Sequence, residues 1–277
     1  MQKAQLKKVN LKQSLFLSMV ILFVSCTTKQ GDILKKAKKT SETNVEEALL
    51  LLDRSFQEAK SSKDKLVYLD AIEKIVKDKL KDSVHYKAVL EKKILYSDNQ
   101  NLKNKNLLTL AQLLIQNFRK EDEALSVLSK IDVESLKNDD RGRYFQSVLI
   151  SYINAKDDEQ ALVEANIYLK RNDLSPSENF KIRNLKSRSL VNLKKMDEAE
   201  QEYLALLESY PNLSKKWNVR SQLGLLLEGQ KKYKQAIHHL QKQMEEEDKK
   251  DPLVEWRIAE LSKRMKQQPG GKGRLRR

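Results

Sequence analysis

Cys26 is the one thiol in a chain of 277 residues, so its surroundings decide what chemistry it can do. A lone cysteine closes no intramolecular disulfide, which leaves the sulfur free to accept a group. The other reactive side chains are dispersed. His85, His238 and His239 have no metal-ligand spacing, and adjacent histidines on a helix point about 100° apart and do not readily share one metal. No glycine-rich phosphate loop occurs, and no serine or cysteine sits in a nucleophile elbow. The acidic run Glu245-Glu246-Glu247-Asp248 lies beside Lys249 and Lys250 and lacks the turning glycine of a calcium loop, so it reads as a solvated helix end. No enzyme activity is expected, and no cofactor, metal or small-molecule substrate.

The segment before Cys26 is more specific. Residues 1–14 carry four lysines and no acid, and Leu15–Val24 is an unbroken stretch dominated by large apolar residues. A transmembrane helix needs about 20 such residues, so this run is too short to span. A basic segment followed by a short apolar run is the pattern of an export signal. The run closes on Phe23-Val24-Ser25-Cys26-Thr27, which resembles a bacterial lipobox, where a small residue precedes the cysteine. The resemblance implies a diacylglyceryl group on the Cys26 sulfur, cleavage between Ser25 and Cys26, and acylation of the new amine. Phe23 stands where the family usually has Leu, and Ser25 where it more often has Gly or Ala. Two or three acyl chains hold a protein stably at a bilayer where one does not. The implied location is the bacterial cell envelope, lipid-anchored, at the outer membrane.

The rest of the chain must hold whatever that anchor presents. Charged residues make up 34%, and only 7 Gly and 4 Pro occur, too few for the turns of a sheet-rich fold. The prevalence of Leu, Lys, Glu, Ala and Gln favours helix, and the expected fold class is all-α. The net charge of +15 favours anionic contacts without selecting one. Residues 26–44 read as the lipidated cysteine and a lysine-rich tether, and 267–277, with three Gly, one Pro and four bases, as a disordered tail. Apolar stripes predict helices over Val45–Lys60, Lys65–Leu80 and Val84–Tyr96, within an N-terminal segment 45–100 that does not align with the residues after it.

Over 101–266 the sequence repeats. Asn117–Ala124, Asn154–Ala161, Asn192–Ala199 and Gly229–Ala236 align without gaps, their alanines 37, 38 and 37 residues apart. Nine residues before each Ala stand Ile115, Tyr152, Leu190 and Leu227, and four after it Leu128, Ala165, Tyr203 and Leu240. Asn and Gly tolerate the left-handed conformation that ends a helix. Each block therefore reads as a turn between two helices whose backbones approach at Ala. Ser175-Pro176-Ser177-Glu178 predicts a capping box. Asp251-Pro252 opens a last helix whose other face is charged, as a solvating cap should be.

These blocks resemble the tetratricopeptide repeat. The last copy carries Leu223-Gly224, Leu227, Tyr233, Ala236 and Leu240, and the one before it Ser187, Leu190, Ala199, Tyr203 and Pro211. The unit is three or four residues longer than the family's, which predicts longer turns between hairpins. The resemblance implies a helical-hairpin solenoid of about four recognisable repeats, N-terminal helices and a C-terminal cap, with the first helix of each hairpin lining a groove. That register assigns Arg143, Gln146, Lys181, Asn184, Arg188, Asn218 and Ser221 to the groove. Amides suit a peptide backbone and bases an acidic side chain or terminal carboxylate. The implied partner is another protein or peptide, with the membrane reached through the lipid anchor and nucleic acid disfavoured. The expected role is an envelope interaction scaffold, such as one in outer-membrane assembly. The alternative is a basic surface or periplasmic binder of anionic polymer (glycan, lipid or nucleic acid).

Overall fold

The computed structural model describes residues 29–247 and 251–267. Ser25, Cys26, the export signal and the tail beyond 267 lie outside the described residues. Fourteen α-helices and no strand are found among those described. They are α1 (29–40), α2 (Val45–Glu58), α3 (Ser62–Ile75), α4 (Ser83–Tyr96), α5 (Gln100–Leu113), α6 (Glu121–Leu128), α7 (Asn138–Asn154), α8 (Asp158–Leu169), α9 (Pro176–Asn192), α10 (Met196–Ser209), α11 (Pro211–Lys216), α12 (Val219–Gly229), α13 (Tyr233–Glu247) and α14 (Pro252–Gln267). Wider π turns extend α3 over Val76–Leu80 and α5 over Leu114–Phe118. The chain forms two units, Met1–Leu113 and Leu114–Arg277.

In the first unit the expected helices over 45–97 are present. Their starts are set by side chains that accept orphan N–H groups: Asn44 from Glu47, Ser61 from Asp64, and Asp82 from Val84 and His85. The expected tether is corrected. Residues 29–40 are helical, with Ala37 buried and Ile33 and Leu34 packed on the core of Ala48, Leu52, Phe56 and Leu69. The five lysines that give this stretch the composition of a spacer all lie on the exposed side of that helix. Between α3 and α4, Lys93 is buried and reaches Asp70 at 2.7 Å and Glu73 at 2.5 Å. Burial pulls its pKa down, but the two carboxylates outweigh that and hold it above the usual lysine value.

The second unit stacks antiparallel hairpins α7/α8, α9/α10 and α12/α13 after α6, with α14 on α13. Its core joins Phe180, Leu190, Ala199, Tyr203 and Leu206 to Val219, Leu223, Leu227, Ala236 and Leu240. The capping box is formed: Ser175 Oγ accepts from Glu178 N–H, and Glu178 Oε2 accepts from Ser175 N–H at 2.7 Å. The extra residues of the long repeat lie between hairpins, in 129–137, 170–175 and the segment containing α11, where longer turns are expected.

Backbone geometry extends the repeat beyond its sequence signature. Among the described residues, six non-glycine residues have positive φ, and five of them, Lys81, Arg119, Lys156, Lys194 and Lys231, are 38, 37, 38 and 37 residues apart. Each stands five residues before the close-approach position, which is Tyr86, Ala124, Ala161, Ala199 or Ala236. One period earlier stands Ala48, fully buried, with Leu52 four residues on. Segment 45–100 is therefore in phase with the repeat. Tyr86 hides the copy by replacing the small residue, and its hydroxyl donates to Glu73 at 3.3 Å.

The left-handed residue is a correction too. Asn154, Asn192 and Gly229 end their helices with right-handed neighbours, and the basic residue two positions later takes positive φ. The N–H after it returns to the carbonyl nine residues before Ala: Asp157 to Tyr152, Lys195 to Leu190 and Lys232 to Leu227, each at 2.9 Å. A side chain in this conformation costs about 1–2 kcal/mol, and glycine recovers part of that against its own chain entropy. Lys156→Gly, Lys194→Gly and Lys231→Gly should each stabilise by about 0.5–1 kcal/mol, and their urea midpoints should add. A lowered midpoint in all three would show that the lysine side chains contribute more than their backbone strain costs.

Candidate functional site

The candidate site is the side of the first helices that faces away from the second helices. On α9, Arg183 and Lys186 reach across to Glu202 of α10, each at 2.9 Å. Lys181, Asn184 and Arg188 recur at i, i+3 and i+7, roughly opposite on the same helix, and so face away from α10. On α7, the Phe145 ring meets the Tyr168 ring of α8 at 4.3 Å between centroids. Arg143 and Gln146 lie on the other side, with Ile150 one turn on. Helices α7 and α9 pack as neighbours, which brings these two stripes together.

The side chains differ in their freedom. Arg143 donates to Asp140 at 3.0 Å. Among the described residues, Lys181 and Arg188 have no carboxylate within ion-pair distance. Gln146, Lys181 and Asn184 are half-buried and Arg188 is exposed. The amide oxygen of Asn184 is buried with no hydrogen-bond partner among the described residues. A buried acceptor without a donor costs about 1–3 kcal/mol.

The α12 candidates fit less closely. Ser221 lies half-buried in the first turn of α12. Asn218 is exposed and left-handed just before that helix, where the inserted α11 displaces its start. It therefore does not belong to the helical stripe. Leu225, 48% exposed, lies on the same side as Ser221 and is missed by a search for polar residues. Its signal in the sequence is an apolar residue outside the core positions Leu223, Leu226 and Leu227.

Elsewhere the titratable groups serve packing. His239 of α13 is pushed down to about 4 by burial, then by Arg220, His238 and Lys242, so its ring is neutral at pH 7. Arg220 holds Glu246 at 2.6 Å and keeps that carboxyl below the usual range. No group of three metal-ligating side chains is found among the described residues, and no described helix is long and apolar enough to cross a membrane.

No protein-family model matches the sequence, and no curated protein matches it. The fold has solved counterparts. The assembly chaperone of RpL4, Acl4 (residues 1–338), is 14% identical with a TM-score of 0.50, covering 86% of this chain and 97% of that one. The TPR2AB-domain:pHSP90-complex of yeast Sti1 matches at 13% identity with a TM-score of 0.33, covering 87% and 95%. The first likeness shows the fold, an all-α TPR-like array of helical hairpins, and the second is too distant to carry an argument.

Proposed function

We propose that this chain is a lipid-anchored scaffold of the bacterial cell envelope, whose α7–α9 face takes an extended acidic segment of a partner protein. The observation that carries the binding half is the stripe of Lys181, Asn184 and Arg188 on α9 beside Arg143 and Gln146 on α7. Among the described residues, Lys181 and Arg188 are two cations without a carboxylate within ion-pair distance. Acidic side chains of a bound segment would satisfy the bases, and the side-chain amides suit its backbone. Acl4 is described as an assembly chaperone, and a scaffolding role in outer-membrane assembly is the corresponding reading for this chain. The anchoring half rests on the lipobox resemblance at Ser25 and Cys26.

Each half has its own test. Arg143→Glu/Lys181→Glu/Arg188→Glu should lower partner recovery by tenfold or more after crosslinking and affinity capture, with helical circular dichroism unchanged. Undiminished recovery of the same partners would remove the groove reading. Cys26→Ser should abolish incorporation of labelled palmitate and leave residues 1–25 uncleaved. Label retained in that variant would end the anchoring reading and leave the groove untouched.

A further inference from the structure

Only Thr27 and Thr28 separate Cys26 from Lys29, where α1 begins. Three Cα steps of about 3.8 Å put Lys29 no more than about 11 Å from Cys26, whatever path the chain takes between them. A headgroup layer is about 5–7 Å thick. An acylated Cys26 would therefore hold the start of α1 against the headgroups. Helix α1 is not free to act as a spacer, because Ile33 and Leu34 pack on the core of the first unit and Ala37 is buried in it. Successive helices run up and down, so the end that starts α1 also ends α2, starts α3 and ends α4. The rings of Phe56 in α2 and Tyr96 in α4 meet there edge-on at 5.5 Å. Lys65 of α3 sets its ammonium 5.6 Å from the first ring centroid and 4.5 Å from the second. Next to Tyr96, Leu95 is 74% exposed. A leucine, a tyrosine and a lysine suit a headgroup layer. At the other end of α4, about 16 Å along the axis, Val84 is 65% exposed. Apolar exposure alone does not choose between the two ends, and the short link to Cys26 does.

We infer that the first unit stands on the bilayer by this end, with Leu95 at the headgroups and Val84 held away from them by the short link. This rests on the acylation of Cys26 proposed above, and the two can fail separately. Acylation consumes the native thiol, so Leu95→Cys or Val84→Cys gives the exported full chain one free thiol for a fluorescent label. Both positions are exposed, and circular dichroism checks that each labelled chain keeps its helices. The acylated protein is reconstituted into phosphatidylcholine vesicles that carry a nitroxide on the headgroup. The label at 95 should be quenched roughly threefold or more above the label at 84, since about 16 Å of helix separates them. A Gly/Ser spacer of about twenty residues between Thr28 and Lys29 reaches about 25 Å and should bring the two labels to equal quenching. Intact mass without acyl groups would end the anchoring reading and this inference with it. Acyl groups present, with the label at 84 quenched as much as the label at 95, would overturn this inference alone and leave the anchor standing. A difference that survives the spacer would also overturn it, because the link would then not be what seats the unit.

Discussion

Phe180→Ala is expected to destabilise the second unit by about 3–5 kcal/mol, a large fraction of the 5–15 kcal/mol that holds a typical domain together. Phe180 is fully buried on α9. Its ring meets Tyr210 edge-on at 5.9 Å and Trp217 at 6.3 Å, so it fills the space where the inserted segment around α11 folds back on the hairpin α9/α10. Tyr210 is itself fixed by a hydroxyl donated to Asn179 at 3.0 Å. Truncation leaves a cavity bounded by two rings and a rigid helix, which cannot collapse onto it. Because hairpins in such an array stabilise their neighbours, the loss should reach both α7/α8 and α12/α13. Denaturant unfolding followed at Trp217 checks this directly, since the indole reports the vacated space. Phe180→Leu should cost far less because it refills most of the vacated volume, and equal losses for both substitutions would mean that the ring contacts, not the volume filled, carry the stability.

The repeat is legible in the sequence where close approach demands alanine. Ala124, Ala161, Ala199 and Ala236 are buried to within 1%, and no larger side chain fits those positions without displacing a helix. It is illegible where one residue breaks the signature. Tyr86 replaces alanine in the second hairpin, so the copy is visible only through the phase of Lys81. The first hairpin turns through 41–43 with Asn44 as its cap and has no left-handed residue at all. Helix α1 is hidden by composition, because lysines dominate it and only Ile33, Leu34 and Ala37 carry its buried side. The site obeys the same logic. Helical spacing alone places Arg143, Gln146, Lys181, Asn184 and Arg188 on two packed stripes, but it cannot foresee that α11 shifts Asn218 off the third. Local preference also misleads at the turns. Asn and Gly are the residues best suited to positive φ, yet the closing hydrogen bond selects the position two residues on, and lysine occupies it at a cost.

Arg141→Met is expected to cost about 3–5 kcal/mol, because it strips the partner from a buried charge. Arg141, at the start of α7, is buried, as is Glu178 in the first turn of α9. The guanidinium donates to Asp173 Oδ2 at 2.7 Å and to the Asp173 carbonyl at 2.9 Å, and its Nε lies 3.6 Å from Glu178 Oε1. Asp173 also binds Arg171, which reaches Glu134 at 2.7 Å, so the long turns on either side of α7/α8 are tied to one cluster. Gly142 completes the fit, since a Cβ there would lie 2.8 Å from Glu178 Cγ. Glu178→Gln separates charge from geometry: the amide oxygen can still accept from Ser175 N–H, while the negative charge is gone. If Arg141 acts by compensating Glu178, the loss on Arg141→Met should shrink by about 1–3 kcal/mol in the Glu178→Gln background. If the loss is undiminished there, the cluster is held through Asp173 instead. Asp173 is half exposed, and an ion pair in that position contributes no more than about 1 kcal/mol. A full-sized loss in both backgrounds would therefore assign the remainder to the guanidinium's bond with the Asp173 carbonyl and to the packing of its stem between α7 and α9.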